Sequence, residues 1–317
     1  MALKAARVPE LPVLDHHHHQ VVPEINNAPA FLSSSPPLIS GGEENGKKEK
    51  KGGKFVVMGH RGHGMNLLEL REDPRMRATR ENTIRSFRHA GRLSRLDFVE
   101  FDVQVTKDGF PVIFHDVFLY TKEKGEIVES RVTDLSLDEF LSYGPQRNAR
   151  NVGKPICRKT KCGRILEWAV EDDDCLCTLR DVFESINNDS LGFNIELKFD
   201  NNRVYSEEEL VRAIQIIMQV VFDHAKERKI MFSTFHPDGA LLIPKLQNTY
   251  PVFFLSNGGN EIHSDARRNS LEEAVKLCLE GGLQGIVSEV KAILRDPGAI
   301  AKIKDSKLSL LTYGQLK

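Results

Sequence analysis

The sequence lacks any apolar run near the roughly 20 residues that cross a bilayer, and its amino terminus lacks the apolar core of a secretory signal. Neither a transmembrane segment nor secretion is expected. An excess of one charge is lacking as well: 44 basic and 45 acidic side chains leave a formal charge of −1. General attraction to nucleic acid or to a membrane surface is therefore not expected. Cysteine is scarce and odd in number, with five in a chain of 317 residues. Reduced thiols in an intracellular compartment are the expectation. Cys157, Cys162, Cys175 and Cys177 form a C-x4-C…C-x-C set without the C-x2-C spacing of structural zinc sites, and HExxH is absent. Glu10, Asp15 and Glu24 count against a transit peptide, so the cytoplasm is the expected location and a plastid address stays open. The oligomeric state is not legible.

Residues 1–53 are rich in Pro, Ser, Gly and charge, with His16 to His19 as a polar run and Lys47 to Lys51 as a basic one. They read as a disordered leader. From residue 54 short apolar strands alternate with helical segments, the pattern of a βαβ series. The expected strands are 54–59, 98–105, 193–198, 229–233, 251–255, 284–288 and 307–313. Expected helices lie near 82–93, 178–187, 206–228 and 270–282, with a further short one starting at Asp296-Pro297. Lys107-Asp-Gly109 reads as a hairpin turn leading to a returning strand at 111–114. Residues 117–177 break the repeat and read as an inserted subdomain, with one helical pattern at 136–142. Trp168, the single tryptophan, is expected to pack its small core. Seven strands with helical crossovers predict an α/β (β/α)8, or TIM, barrel over residues 54–317, with its last strand and helix apparently missing. Such a barrel would carry two unpaired edges unless other elements close the gap.

The chemistry concentrates at strand ends. Phe55-Val-Val-Met-Gly-His-Arg-Gly62 is an apolar strand that delivers His60 and Arg61 between glycines, where a ligand can approach the backbone. In Phe98-Val-Glu-Phe-Asp-Val-Gln-Val105, Glu100 and Asp102 share one face of a strand. Two carboxylates so placed can bind one hard divalent cation, and the apolar neighbours disfavour a merely solvated face. Glu196 repeats the pattern and would complete an all-oxygen site for Mg2+ or Ca2+. Lys198 would then sit beside the metal, within reach of an anionic phosphate oxygen; a structural Glu–Lys ion pair is the plainer alternative. His60 and His115 each follow a strand and, beside a carboxylate cluster, fit general acid and base. Arg61 offers a forked donor to phosphate. Glu81 is a metal ligand, a support for one, or an arginine partner.

His60-Arg-Gly62, Glu81-Asn-Thr83, Glu100-Phe-Asp102, His115-Asp116 and Glu196-Leu-Lys198, in this order, resemble the glycerophosphodiester phosphodiesterase family. Phe232-Ser-Thr-Phe-His236 and Leu311-Thr-Tyr-Gly314 are similar to further family segments, and the longer insertion resembles the plant and fungal branch. The resemblance implies a TIM barrel with an insertion after the second strand. It implies hydrolysis of glycerophosphodiesters, such as glycerophosphocholine, to sn-glycerol 3-phosphate and an alcohol. By the same resemblance Glu100, Asp102 and Glu196 would hold one divalent cation. His60 and His115 would be the acid–base pair, Arg61 and Lys198 would contact phosphate, and Glu81 would be structural or supporting.

Two other functions remain open at this stage. One is a related phosphodiesterase directed at lysophospholipids or phosphoinositides, which a larger apolar rim at the barrel mouth would support. The other is a truncated homologue that binds ligand, or a partner barrel, without turnover.

Overall fold

The computed structural model describes residues 3–8, 54–68, 74–160 and 162–315. In chain order its strands are β1 (Leu3–Val8), β2 (Lys54–Gly59), β3 (Phe98–Val105) and β4 (Pro111–Ile113). The insertion then contributes β5 (Phe118–Glu123), β6 (Glu126–Arg131), β7 (Cys157–Lys159) and β8 (Ile165–Glu167). The main series resumes with β9 (Gly192–Leu197), β10 (Ile230–Thr234), β11 (Val252–Ser256), β12 (Gly285–Glu289) and β13 (Ser309–Tyr313).

Strands β2, β3, β9, β10, β11, β12 and β13 pair in parallel, neighbour to neighbour. That direction follows from helical crossovers, which return the chain to the same end of the sheet. These are the seven strands expected from the sequence, each within a residue or two. β1 lies between β13 and β2, antiparallel to both, and joins the two ends of the series. The rest of the expected leader lies outside the described residues. The expected hairpin is present, with β4 antiparallel to β3 and Val103 opposite Ile113.

The helices are α1 (Ile84–Gly91), α2 (Leu137–Leu141), α3 (Leu179–Ser185) and α4 (Glu207–His224), followed by α5 (Pro237–Leu246), α6 (Leu271–Gly281), α7 (Val290–Arg295) and α8 (Gly298–Asp305). Their starts are chemically marked. Thr83, Ser136, Thr178, Ser206 and Ser270 each accept a hydrogen bond from a backbone N–H of the first turn. α5 and α7 are absent from the sequence reading. α5 opens on Pro237-Asp-Gly and holds Pro244, residues that locally signal turns. None of the described helices is long and apolar enough to cross a membrane.

Alternation along each strand sorts the core into two layers. Val99, Phe101, Val103, Phe193, Ile195 and Phe232 pack outward with Leu210, Ile214, Ile217 and Val221 of α4. Each such side chain, fully buried, contributes on the order of 1.5–3 kcal/mol. Val56, Met58, Phe98, Met231, Phe253, Leu255, Val287 and Leu311 form a second cluster from the opposite strand faces. The insertion is more ordered than its sequence implies. Its strands form a sheet in the order β6-β5-β7-β8, over a core of Phe114, Leu119, Phe140, Tyr143 and Trp168. Trp168 packs as expected, and it also serves as a platform for two arginines. Arg131 at the end of β6 pairs with Asp200 just after β9, which ties the insertion to the barrel.

Candidate active site

Register brings the carboxylates together. β3 pairs with β9 so that Glu100 lies opposite Asn194 and Asp102 opposite Glu196. Along β3, Phe98 belongs to the inner apolar cluster, and Glu100 and Asp102 follow on the same face toward the carboxyl end. Glu100 and Asp102 are fully buried and Glu196 is 5% exposed. One carboxylate oxygen from each lies within 4.8 Å of the others. Three buried carboxylates so close repel one another unless cations intervene. The Lys198 ammonium is one such cation. It donates to Glu196 Oε1 at 2.9 Å and stands 3.6 Å from Asp102 Oδ1, which accepts no hydrogen bond. An all-oxygen, buried, strongly anionic set with an orphaned oxygen fits a hard divalent cation.

The turn after β2 wraps onto this cluster. Arg61 takes a left-handed backbone (φ +51°), and its N–H donates to Glu100 Oε2 at 2.8 Å. Gly62 follows at φ +86°, where a Cβ would collide with Ser86 and Phe87, so only glycine fits without displacement. His60 Nε2 lies 4.0 Å from Glu100 Oε2. The Arg61 guanidinium donates to Glu81 Oε1 at 2.8 Å and faces Asp102 Oδ2 at 3.5 Å. Burial lowers the guanidinium's affinity for its proton, but Glu81, Asp102 and Glu100 more than offset this and raise it. Asn82 donates its amide to Asp102 Oδ2 at 2.7 Å, just ahead of the cap that starts α1. Burial would push the Asp102 carboxyl up. His115, Lys198, Arg61 and Asn82 instead hold it well below the usual carboxylate range.

His115 and Asp116 follow the short strand β4. His115 Nδ1 lies 2.6 Å from Asp116 Oδ1. Burial lowers the imidazole pKa, and the Arg61 and Lys198 cations lower it further, so the ring favours its neutral form. Arg158 on β7 crosses from the insertion to meet them. Its Nε donates to Asp116 Oδ2 at 2.8 Å, and its Nη2 reaches Asp116 Oδ1 at 2.9 Å and Glu81 Oε1 at 3.0 Å. Its guanidinium lies over the Trp168 ring, 4.2 Å from the centroid, and Arg80 lies 5.0 Å from the same centroid. Glu81 is thus shared by two arginines, with Asn66 N–H as a further donor. Burial favours its neutral form, but Arg158 and Arg61 keep it ionised.

A cavity of about 660 Å³ joins these groups at the carboxyl ends of the strands. His60, Arg61, His115, Asp116, Arg158, Glu196 and Lys198 line it, with Met65, Leu67, Leu68, Phe235 and Tyr313 on its apolar walls. All the residues singled out in the sequence converge at or around this space. Glu81 is the one whose role is sharpened: it binds arginines and lies outside the acidic triad. Among the described residues the four insertion cysteines form no metal-ligating group. Sequence reasoning missed Arg158, Asn66 and Asn82. Asn82 sits inside a segment already noted, whereas Arg158 lies in a stretch with no local pattern.

Residues 60–317 match the Glycerophosphoryl diester phosphodiesterase family. Glycerophosphodiester phosphodiesterase GDPD3 of Arabidopsis thaliana is 62% identical over 263 residues, covering 83% of this chain and 70% of that protein. Glycerophosphodiester phosphodiesterase GDPD1, chloroplastic, of the same plant is 59% identical over 83% of this chain and 72% of its own length. Among solved structures, one from Silicibacter pomeroyi superposes with a TM-score of 0.58 at 19% identity, covering 81% of this chain and 82% of that one. An Oleispira antarctica phosphodiesterase, solved with the product sn-glycerol-3-phosphate, gives 0.54 at 20% identity, covering 82% and 84%. The matched region runs from His60 through β13 and takes in the acidic triad and both histidines, and the chain belongs to the glycerophosphoryl diester phosphodiesterase family.

Proposed function

We propose that this chain hydrolyses glycerophosphodiesters in a metal-dependent reaction, with His60 and His115 as the proton-transfer pair, releasing sn-glycerol 3-phosphate and an alcohol. The observation that carries this reading is the buried Glu100–Asp102–Glu196 triad, set beside two histidines and Lys198 in one cavity. A divalent cation held by the triad, Mg2+ or Ca2+, would place positive charge against the phosphodiester oxygens that otherwise repel a nucleophile. Lys198 adds a second positive group at the same place, where it now neutralises Glu196. Arg61 is drawn toward Glu81 and Asp102 and lines the same cavity. One histidine accepts a proton from water or from the glycerol 2-hydroxyl, and the other protonates the departing alkoxide. The Schizosaccharomyces pombe relative, Glycerophosphocholine phosphodiesterase gde1, is 31% identical over 82% of this chain and 26% of its own length, and it supports glycerophosphocholine as the first substrate to try. A relative named chloroplastic supports the plastid as an address to test beside the cytoplasm.

The test is release of glycerol 3-phosphate from glycerophosphocholine by the full chain, with Mg2+, with Ca2+ and with a chelator. Release that either metal restores after chelation supports the reading. No release with either metal refutes it. Met65, Leu67 and Leu68 on the cavity wall make lysophosphatidylcholine the informative second substrate. Faster turnover of that lipid would shift the assignment to lysophospholipids.

A further inference from the structure

Arg158 has no part in the reaction as set out so far, yet it is a largely buried cation in the cavity wall and comes from the insertion rather than the barrel. We propose that Arg158 is a positioning residue: through Asp116 it fixes the tautomer and orientation of His115, so the insertion completes one half of the proton-transfer pair. The inference rests on His115 being such a group.

The geometry supports a chain of three. Asp116 offers Oδ1 to both His115 Nδ1 and Arg158 Nη2, and Oδ2 to Arg158 Nε. A forked, two-point grip fixes the plane of the carboxylate as well as its charge. A carboxylate held in that plane accepts from Nδ1–H, which leaves Nε2 as the nitrogen able to exchange a proton with a group in the cavity. Arg158 is itself immobilised, with its face on Trp168 and its outer nitrogens on Glu81 and the Asn66 carbonyl.

A clamp that only fastened the insertion would act on stability alone. A positioning role makes two specific demands. In protein labelled with 15N-histidine, His115 should be protonated at Nδ1 in the parent chain. In Arg158→Ala that state should give way to a mixture of tautomers. In a double-mutant cycle, Arg158→Ala should lower kcat about 10- to 100-fold with little change in KM, the scale of losing an outer partner of a functional histidine. On a His115→Ala background the same substitution should cost less than about threefold, because the residue it serves is gone. Arg158→Lys keeps the charge and loses the fork, and should show an intermediate loss. It also serves in the cycle if the alanine variant does not fold. Equal losses in both backgrounds, or an unchanged His115 tautomer in the variants, would overturn the proposal. A parent chain that hydrolyses no glycerophosphodiester would instead remove the proton-transfer reading, and the tautomer measurement would still decide whether Arg158 orients His115.

Discussion

Asp102 shows how much of the site hangs on single side chains. It accepts from Asn82, faces Arg61 and Lys198, and sits opposite Glu196 in the sheet. Asp102→Asn keeps the volume and removes the charge. Metal-dependent hydrolysis should fall at least about 100-fold, with metal affinity falling in calorimetry and the circular dichroism spectrum preserved. Full activity in that variant would remove Asp102 from the proposed metal site. The pH dependence also belongs to single residues. The pKa of His115 is held below its ordinary value near 6.5 by burial and by Arg61 and Lys198. A metal cation would push it the same way. The lowered value favours the neutral ring. With His115 as the proton acceptor of the pair, the acidic limb of kcat/KM should therefore fall below pH 6.5. An acidic limb centred above pH 7 would contradict that role. The triad carboxylates were legible in the sequence because they lie inside apolar strands whose alternation sets their facing, and the histidines because each follows a strand. Arg158 was not, because its partners lie 42 and 77 residues away in the chain and no local period links them.

Elements position these residues, and their boundaries follow local chemistry. The turn between β2 and α1 depends on Gly62, whose added methyl would press on Ser86 and Phe87. Gly62→Ala should destabilise the fold by about 1–3 kcal/mol and displace His60 and Arg61, so activity falls with the melting temperature. Ser206→Ala is the contrasting case. It removes the cap of α4, which packs the outer core far from the cavity. It should cost about 1 kcal/mol and leave kcat unchanged. Thermal melts paired with turnover measurements separate the two. Capped helices and two-sided strands could be read from the chain. The sheet of the insertion could not, because β6 is exposed along most of its length and β7 and β8 have three residues each, too few for a period to show.

Across the whole molecule, charge buried near the cavity links stability to pH. Asp102 and Asp116 are held well below the usual carboxylate range, and Glu81 below its own. Burial opposes this in each case, and the cations around them outweigh it. Depressed values favour the folded state above the unfolded pKa, near 4 for such groups. That contribution is lost as pH falls toward the folded values. The melting temperature should hold between about pH 5 and 8 and drop steeply below about 4, with a weaker drop once Asp116→Asn removes one such group. An unchanged melting temperature at pH 3 would argue against these pairings.

The grip of Arg158 on Asp116 and Glu81 also bears on any attempt to cut the protein down to a minimal scaffold. The sheet of β5–β8 packs with α2 over a core that also takes Val112 and Phe114, and it invites removal as a module. Its excision would take Arg158 from Glu81 and Asp116 and leave Arg61 as the remaining guanidinium on Glu81. Stripping one partner from a buried pair costs about 3–5 kcal/mol, a large share of what holds a domain together. A shortened barrel would therefore need a new cation where Arg158 stood, or neutral residues at positions 81 and 116, before the insertion could be removed.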